Sequence, residues 1–251
     1  MVDIHSHILP GLDDGSKSME ESVAMVKMAA ADGTTAIVAT PHASSQYSFQ
    51  PEAIAQKVAE LAAAVPEIRI YRGCDFHLNF DNIQDAIAHP RKYTINQTQY
   101  LLVEFPDMVT FTTTPQIFGE LRRVGIIPII THPERNYFLQ EKHAEMARWV
   151  DGGEAYIQVT AQSFLGRFGG RARDSAHDLM KRGLVHFVAS DAHDLTHRTT
   201  QLRESFDYVA RKFGTSVAER LFEENPAAVV AGEQVPPTEP PPLKPWYKFW
   251  S

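Results

Sequence analysis

Seven short apolar runs recur along this chain, and six of them carry a histidine or an acidic residue at or just past their C-terminal end. The runs are VDIHSHI (2–8), TTAIVAT (34–40), IRIYRGCDF (68–76), QYLLVEF (99–105), IIPIITH (126–132), AYIQVT (155–160) and VHFVASD (185–191). Helical patterns fall between and after them. In SMEESVAMVKMAAADG, Met19, Val23, Val26 and Ala30 recur at helical spacing and Gly33 closes the helix. PEAIAQKVAELAAAV opens on Pro51, a residue suited to the first helical position. Further helices are expected near 115–124, 142–151, 171–182 and 199–213. Apolar strands alternating with helices predict an α/β protein with a parallel sheet covered by helices. Seven of them suggest a closed or distorted barrel rather than an open sheet.

In a parallel barrel, functional side chains project from the C-terminal ends of the strands. Here those ends carry His5 and His7, then His42, Asp75, Glu104, His132, and finally Asp191 with His193. One such residue is compatible with chance; the series is a constellation. His5 and His7 are two apart and face one side of an extended segment, with Asp3 placed to orient an imidazole. SDAH (190–193) repeats the spacing with Asp191 and His193. The DDG at 13–15 reads as a tight turn in isolation, and Asp14 becomes a ligand candidate beside the rest. Imidazole and carboxylate without thiolate suit zinc, manganese or iron. Nine candidate ligands exceed one ion's needs and fit two or three ions bridged by carboxylates.

DIHSHILPGLDDG, TPH, GCDFHL, THPERN and SDAH, in that order over roughly residues 1–230, together resemble the polymerase and histidinol phosphatase (PHP) superfamily. More narrowly they resemble the manganese-dependent tyrosine-protein phosphatases of bacterial capsule and exopolysaccharide systems. The resemblance implies a distorted (β/α)7 TIM-like barrel over 1–232 and three divalent ions, manganese first, with iron or zinc as alternatives. It assigns His5, His7, Asp75 and Asp191 to one ion, and Asp75, Glu104 and His132 to a second. Asp14, His42 and His193 go to the third. Where the family usually has glutamate this chain has Asp75, so a carboxylate shorter by one methylene must bridge two ions. Four carboxylates against three divalent ions leave such a site net positive, suited to a phosphate monoester. Bound ions also lower the pKa of water, supplying hydroxide at neutral pH.

Arg135, in HPER, matches the family's phosphate-contacting position, and Arg198, after SDAHDLTH, is placed to reach the same mouth. A guanidinium fork matches phosphate oxygens in bidentate fashion. Competing routes lack their residues. Six positions beyond Cys74 stands Phe80, so there is no C-x5-R; neither a P-loop nor G-x-S-x-G occurs. The single cysteine excludes an internal disulfide. A net charge of −7 argues against nucleic acid as partner, and exonuclease action with it.

The expected function is therefore metal-dependent hydrolysis of protein phosphotyrosine, with a polysaccharide-export tyrosine kinase at the membrane as the partner the resemblance implies. The alternatives are a small-molecule phosphatase such as histidinol phosphatase, and a non-catalytic metal-bound scaffold. The scaffold is disfavoured because all nine positions carry ligands. No leader or transmembrane run is apparent, giving the expectation of a cytoplasmic protein near the membrane's inner face through its partner. A homo-oligomer is open through the first helix. His77 and His197 flank proposed ligands and are candidates to support them. The segment 233–251 holds six prolines (Pro236, Pro237, Pro240, Pro241, Pro242 and Pro245) before Trp246, Tyr247, Phe249 and Trp250. It reads as an extended tail outside the core.

Overall fold

The computed structural model describes residues 1–106, 113–236 and 240. Tail residues 237–239 and 241–251, including the four aromatics, lie outside the described residues. The strand segments are β1 (Val2–Ser6), β2 (Ala36–Ala39), β3 (His42–Ala43), β4 (Arg69–Arg72), β5 (Asp75–His77), β6 (Tyr100–Glu104), β7 (Ile127–Thr131), β8 (Tyr156–Thr160) and β9 (Phe187–Ala189). All pair in parallel, in the orders β1-β2-β4 and β3-β5-β6-β7-β8-β9.

Two staves are broken. β2 and β3 are halves of one run interrupted at Thr40–Pro41, where proline has no N–H to give the ladder. β4 and β5 are interrupted at Gly73–Cys74, where a Cβ on Gly73 would come within 2.9 Å of Val38 Cγ1. Counted whole, the staves number the seven read from the sequence. The ring closes where Asp191 N donates to His5 O (2.8 Å) and His7 N donates to Ala192 O (2.8 Å). The result is a distorted (β/α)7 barrel.

Period-two alternation sorts its interior by height. Tyr100 and Leu102 lead to Glu104, Ile127 and Ile129 to Thr131, and Phe187 and Ala189 to Asp191. The lower residues join Ile4 and Val38 in one apolar cluster, which Val229, Val230 and Val235 close from below. A dry floor thus lies under a polar upper layer. Val235 belongs to the expected tail yet is buried; Tyr100 and Tyr156 donate to Glu233 O (2.6 Å) and Val235 O (3.3 Å).

The expected helices form with small shifts of end, such as Thr114–Arg123 and Arg203–Phe213. The first, Met19–Ala31, is capped by Ser18, whose hydroxyl accepts from Glu21 N. Helices at Phe80–Ala88 and beyond Thr215 were not expected. Phe80–Ala88 buries only Ile83 and Ala86, too few for a periodic signal, and Asn79 fixes its start by accepting from Asn82 N. Among the described residues no helix is long and apolar enough to cross a membrane.

Candidate metal centre

At the upper end of the barrel the nine sequence-selected positions come together. Four overlapping sets each place one donor atom per residue within 4.8 Å of the others. They are His7, Asp14, His42 and His193; His42, Asp75, His77 and Glu104; His5, His7 and Asp75; and His5, His132 and Asp191. Asp75 is the hub. Its Oδ2 lies 3.4 Å from His5 Nε2 and 3.3 Å from His42 Nδ1, while Thr131 donates to its Oδ1 at 3.5 Å. His132 Nε2 lies 3.6 Å from Glu104 Oε1, and Asp14 Oδ1 is 3.4 Å from His42 and 3.5 Å from His193.

Broken staves and tight turns deliver these groups. His42 and Asp75 follow the two interruptions and pair in register. The DDG turn folds back on β1: Ser16 N donates to His7 O at 3.0 Å, and a Cβ on Gly15 would sit 2.1 Å from that oxygen. Only glycine fits there. His132 and Asp191 hold positive φ (32° and 51°), unusual for residues with side chains and characteristic of strained functional positions.

The electrostatics follow from crowding acids and imidazoles in a buried space. Burial alone would raise the carboxyls of Asp75 and Asp191. His5, with His42 at Asp75 and Arg135 at Asp191, outweighs it and holds both well below the usual range. Burial would lower His5, but Asp75 and Asp191 bring it up to about 9. His132, buried beside Arg135, is held well below its ordinary value and is neutral. The same balance raises His42 to about 11 despite its burial, through Asp14 and Asp75.

Do these residues fit metal ions? His42 Nδ1 and Asp75 Oδ2 are buried and make no hydrogen bond, although 3.3 Å apart. Buried polar atoms of this kind are expected to be satisfied. A divalent cation satisfies both, and the oxygen–nitrogen donor set without sulfur suits manganese, iron or zinc.

The groups that orient the imidazoles are not the one expected. The register of β1 against β2 shifts between Asp3 and Ser6, so Asp3 serves backbone instead. It accepts from His5 N, Ser190 N and Ser190 Oγ at 3.3, 3.0 and 2.6 Å, and burial pushes its carboxyl up to about 6. His5 Nδ1 is held by Gln158 Oε1 (2.9 Å) and His7 Nδ1 by Asp13 Oδ2 (2.7 Å). Gln158 stands on a strand with no charged residue at its end. Asp13 carried a signal, the first acid of DDG, but read as a turn. His77 turns its Nε2 onto Glu104 Oε2, whereas the exposed His197 faces Thr196 and lies away from the cluster.

Arg135 and Arg198 converge. Both guanidinium groups contact Asp191 Oδ2. Arg135 also donates to Thr160 Oγ1 (3.4 Å) and lies 4.2 Å over the Phe168 ring. Arg198 Nε is buried without a hydrogen-bond partner among the described residues, a donor placed for an anion. Glu134, between His132 and Arg135, is buried; Thr160 N and Ser163 Oγ donate to its Oε1 at 3.0 and 2.7 Å. A cavity of about 400 Å³ opens over Asp14, His42, His77 and Glu104, walled by Tyr47 and Phe105.

Comparison with known proteins decides the family: the one described as Capsular polysaccharide synthesis, CpsB/CapC, matches residues 1–231. The chain belongs to the CpsB/CapC family. It is 38% identical over 212 residues to CapC of Staphylococcus aureus, covering 82% of each chain. It is 30% identical over 249 residues to the tyrosine-protein phosphatase YwqE of Bacillus subtilis, covering 97% of each. A solved structure from the pair YwqE of B. subtilis and CpsB of Streptococcus pneumoniae, described as unique metal-dependent tyrosine phosphatases, superposes with a TM-score of 0.88. The identity is 30%, over 98% of this chain and 100% of that one. The CpsB/CapC barrel and the donor cluster at its upper end therefore arise together in one chain.

Proposed function

We propose that this CpsB/CapC protein is a metal-dependent protein-tyrosine phosphatase whose ions are held by His5, His7, Asp14, His42, Asp75, Glu104, His132, Asp191 and His193. The observation that carries this reading is two guanidinium groups meeting the rim of a nitrogen–oxygen donor cluster at Asp191. Three divalent ions, manganese in the first place, satisfy the number of donors. When bound they supply Lewis acidity and hydroxide at neutral pH.

The chain's own residues do the rest. Gln158 and Asp13 hold His5 and His7 in the tautomer whose Nε2 is free to ligate. Arg135 and Arg198 bind the phosphoryl oxygens, Arg135 steadied by Thr160 and the Phe168 ring. The dry apolar floor below the cluster keeps solvent from entering from beneath and strengthens each charge interaction. Tyrosine's leaving oxygen, with a pKa of about 10, needs less protonation than an alkoxide, so no strong general acid is required. The catalytic unit is residues 1–232 together with 233–235, which close the floor, and 236–251 is an appended tail. The physiological substrate of this reading is the autophosphorylating kinase of polysaccharide export, reached at the inner face of the membrane.

The test is hydrolysis of a phosphotyrosine peptide by protein stripped of metal and reloaded with manganese, beside Arg135→Ala. Activity returns with metal, and the variant loses about 100-fold or more in kcat/KM while retaining its metal content. Full loading without hydrolysis refutes the reading. Histidinol phosphate and p-nitrophenyl phosphate, run in parallel, separate it from a small-molecule phosphatase.

A further inference from the structure

Next to the catalytic cavity lies a second one of about 440 Å³, and the two share Ser44, Ser45 and Tyr47 as a common wall. The Tyr47 ring is fixed against His42, with centroids 5.9 Å apart and planes 16° from parallel. Beyond it the second cavity is aromatic. Phe49 packs on Tyr93 (4.8 Å), and Phe80 stands at the rim with 75% of its surface exposed. Phe80 thereby carries the aromatic surface of Phe49 and Tyr93 out to the mouth of the cavity.

Much of the polar lining is spent. Ser44 Oγ accepts from Gln46 N and Tyr47 N, Asn82 donates to Ala43 O and His77 O, and the Tyr93 hydroxyl donates to Asp85. Asp81 is the charged residue of the lining: it is exposed and, among the described residues, has neither an ion-pair nor a hydrogen-bond partner. The cavity thus offers flat apolar rings and one unneutralised carboxylate, in a protein of net charge −7. That combination fits a cation on an aliphatic stem, which lays its methylenes on aromatic surface and its charge on the acid.

Resting on the phosphotyrosine reading above, we propose that this second cavity binds a lysine or arginine side chain flanking the phosphotyrosine, with Phe80 and Asp81 as its specificity-determining residues. The continuity of the two cavities across Tyr47 sets the order: phosphate over the donor cluster, ring beside Tyr47, basic neighbour against Phe80. Surface charge pairs are individually weak, so the device selects among substrates rather than creating affinity.

The experiment uses full-length, manganese-loaded protein and two phosphotyrosine peptides identical except for lysines or glutamates on both sides of the phosphotyrosine. Each kcat/KM is divided by the same protein's p-nitrophenyl phosphate rate. The wild type prefers the lysine peptide by about tenfold, expressed in KM, as expected for one attractive against one repulsive contact. Asp81→Asn brings the preference below about twofold, and Phe80→Ala raises KM for the lysine peptide. Equal turnover of both peptides by the wild type, or an undiminished preference in Asp81→Asn, overturns the inference alone. Turnover of p-nitrophenyl phosphate without either peptide overturns the phosphotyrosine reading and this inference with it.

Discussion

Asp13 offers the sharpest test of how the centre is organised, because its carboxylate makes three contacts and no other residue duplicates them. Oδ2 accepts from His7 Nδ1 (2.7 Å) and His42 N (3.1 Å), and Oδ1 accepts from Gly15 N (3.0 Å). Burial would raise this carboxyl, but His7 outweighs it and keeps the group ionised. Asp13→Ala strands two backbone N–H groups, costing about 1–3 kcal/mol each in the metal-free protein. It also frees His7 to protonate on either nitrogen. Supporting groups of this kind are worth about 10–100-fold in metal affinity, or roughly 1.4–2.7 kcal/mol. Asp13→Asn replaces one oxygen by an amide. Its one oxygen can take the Oδ2 place, holding His7 Nδ1 and His42 N while the amide strands Gly15 N. In the Oδ1 place it holds Gly15 N while the amide meets His7 Nδ1 and forces the other tautomer. The first orientation satisfies two donors of three and prevails, so the variant is nearer to wild type than alanine both in stability and in manganese affinity, losing less than about tenfold in the latter. Calorimetric titration with manganese and urea unfolding of the stripped protein read the two quantities independently. An alanine variant that binds manganese like the wild type, or an asparagine variant no better than alanine, would falsify the claim that Asp13 sets the His7 tautomer.

Gly15→Ala drives a Cβ to 2.1 Å from His7 O and should cost about 1–3 kcal/mol with weakened metal binding, measured by the same pair of assays; an unchanged protein contradicts the close approach. Chelation of the loaded protein should lower Tm by roughly 5–10 °C, taking about 2.7 kcal/mol for metal at 100 times Kd, and scanning calorimetry with and without EDTA reads it. His186 provides a pH test away from the centre. Burial holds it down to about 3, so the folded protein keeps it neutral while the unfolded chain protonates it near 6.5. Its contribution is complete above about pH 6.5 and is lost as pH falls toward 3, amounting to about 2 kcal/mol at pH 5. Urea unfolding of His186→Gln should therefore lose less stability than wild type between pH 7 and 5, and parallel pH profiles would refute the assignment.

What could be read from the sequence was what local pattern encodes. Strand runs such as QYLLVEF and IIPIITH announced themselves through apolar residues, and His5, His7, Asp75 and Asp191 through their placement at strand ends. Two kinds of information stayed hidden. Where a stave breaks is decided between chains of contacts, as at Gly73, whose need for a hydrogen in place of a Cβ comes from Val38, thirty-five positions earlier in the chain. Equally hidden were the orienting partners. Gln158 reaches His5 across 153 positions and bears no charge, so nothing in its neighbourhood distinguishes it from any glutamine on a strand. Asp3, by contrast, had the correct spacing and the wrong role, because the shift in β1 register after it turns the carboxylate to Ser190.

The asymmetry has a physical origin. A metal ligand must be one of few residue types, at a strand end, and so leaves a mark in composition. A group that orients a ligand needs only one acceptor at the correct place, which several residue types supply and only the folded register selects. Comparing Gln158→Ala with Gln158→Glu puts that difference to measurement. The glutamate keeps an acceptor for His5 Nδ1 and should retain manganese affinity within about tenfold, while the alanine should lose about 10–100-fold. If both lose it equally, the buried site is rejecting the added charge rather than missing the acceptor, and the role assigned to Gln158 passes from orientation to packing.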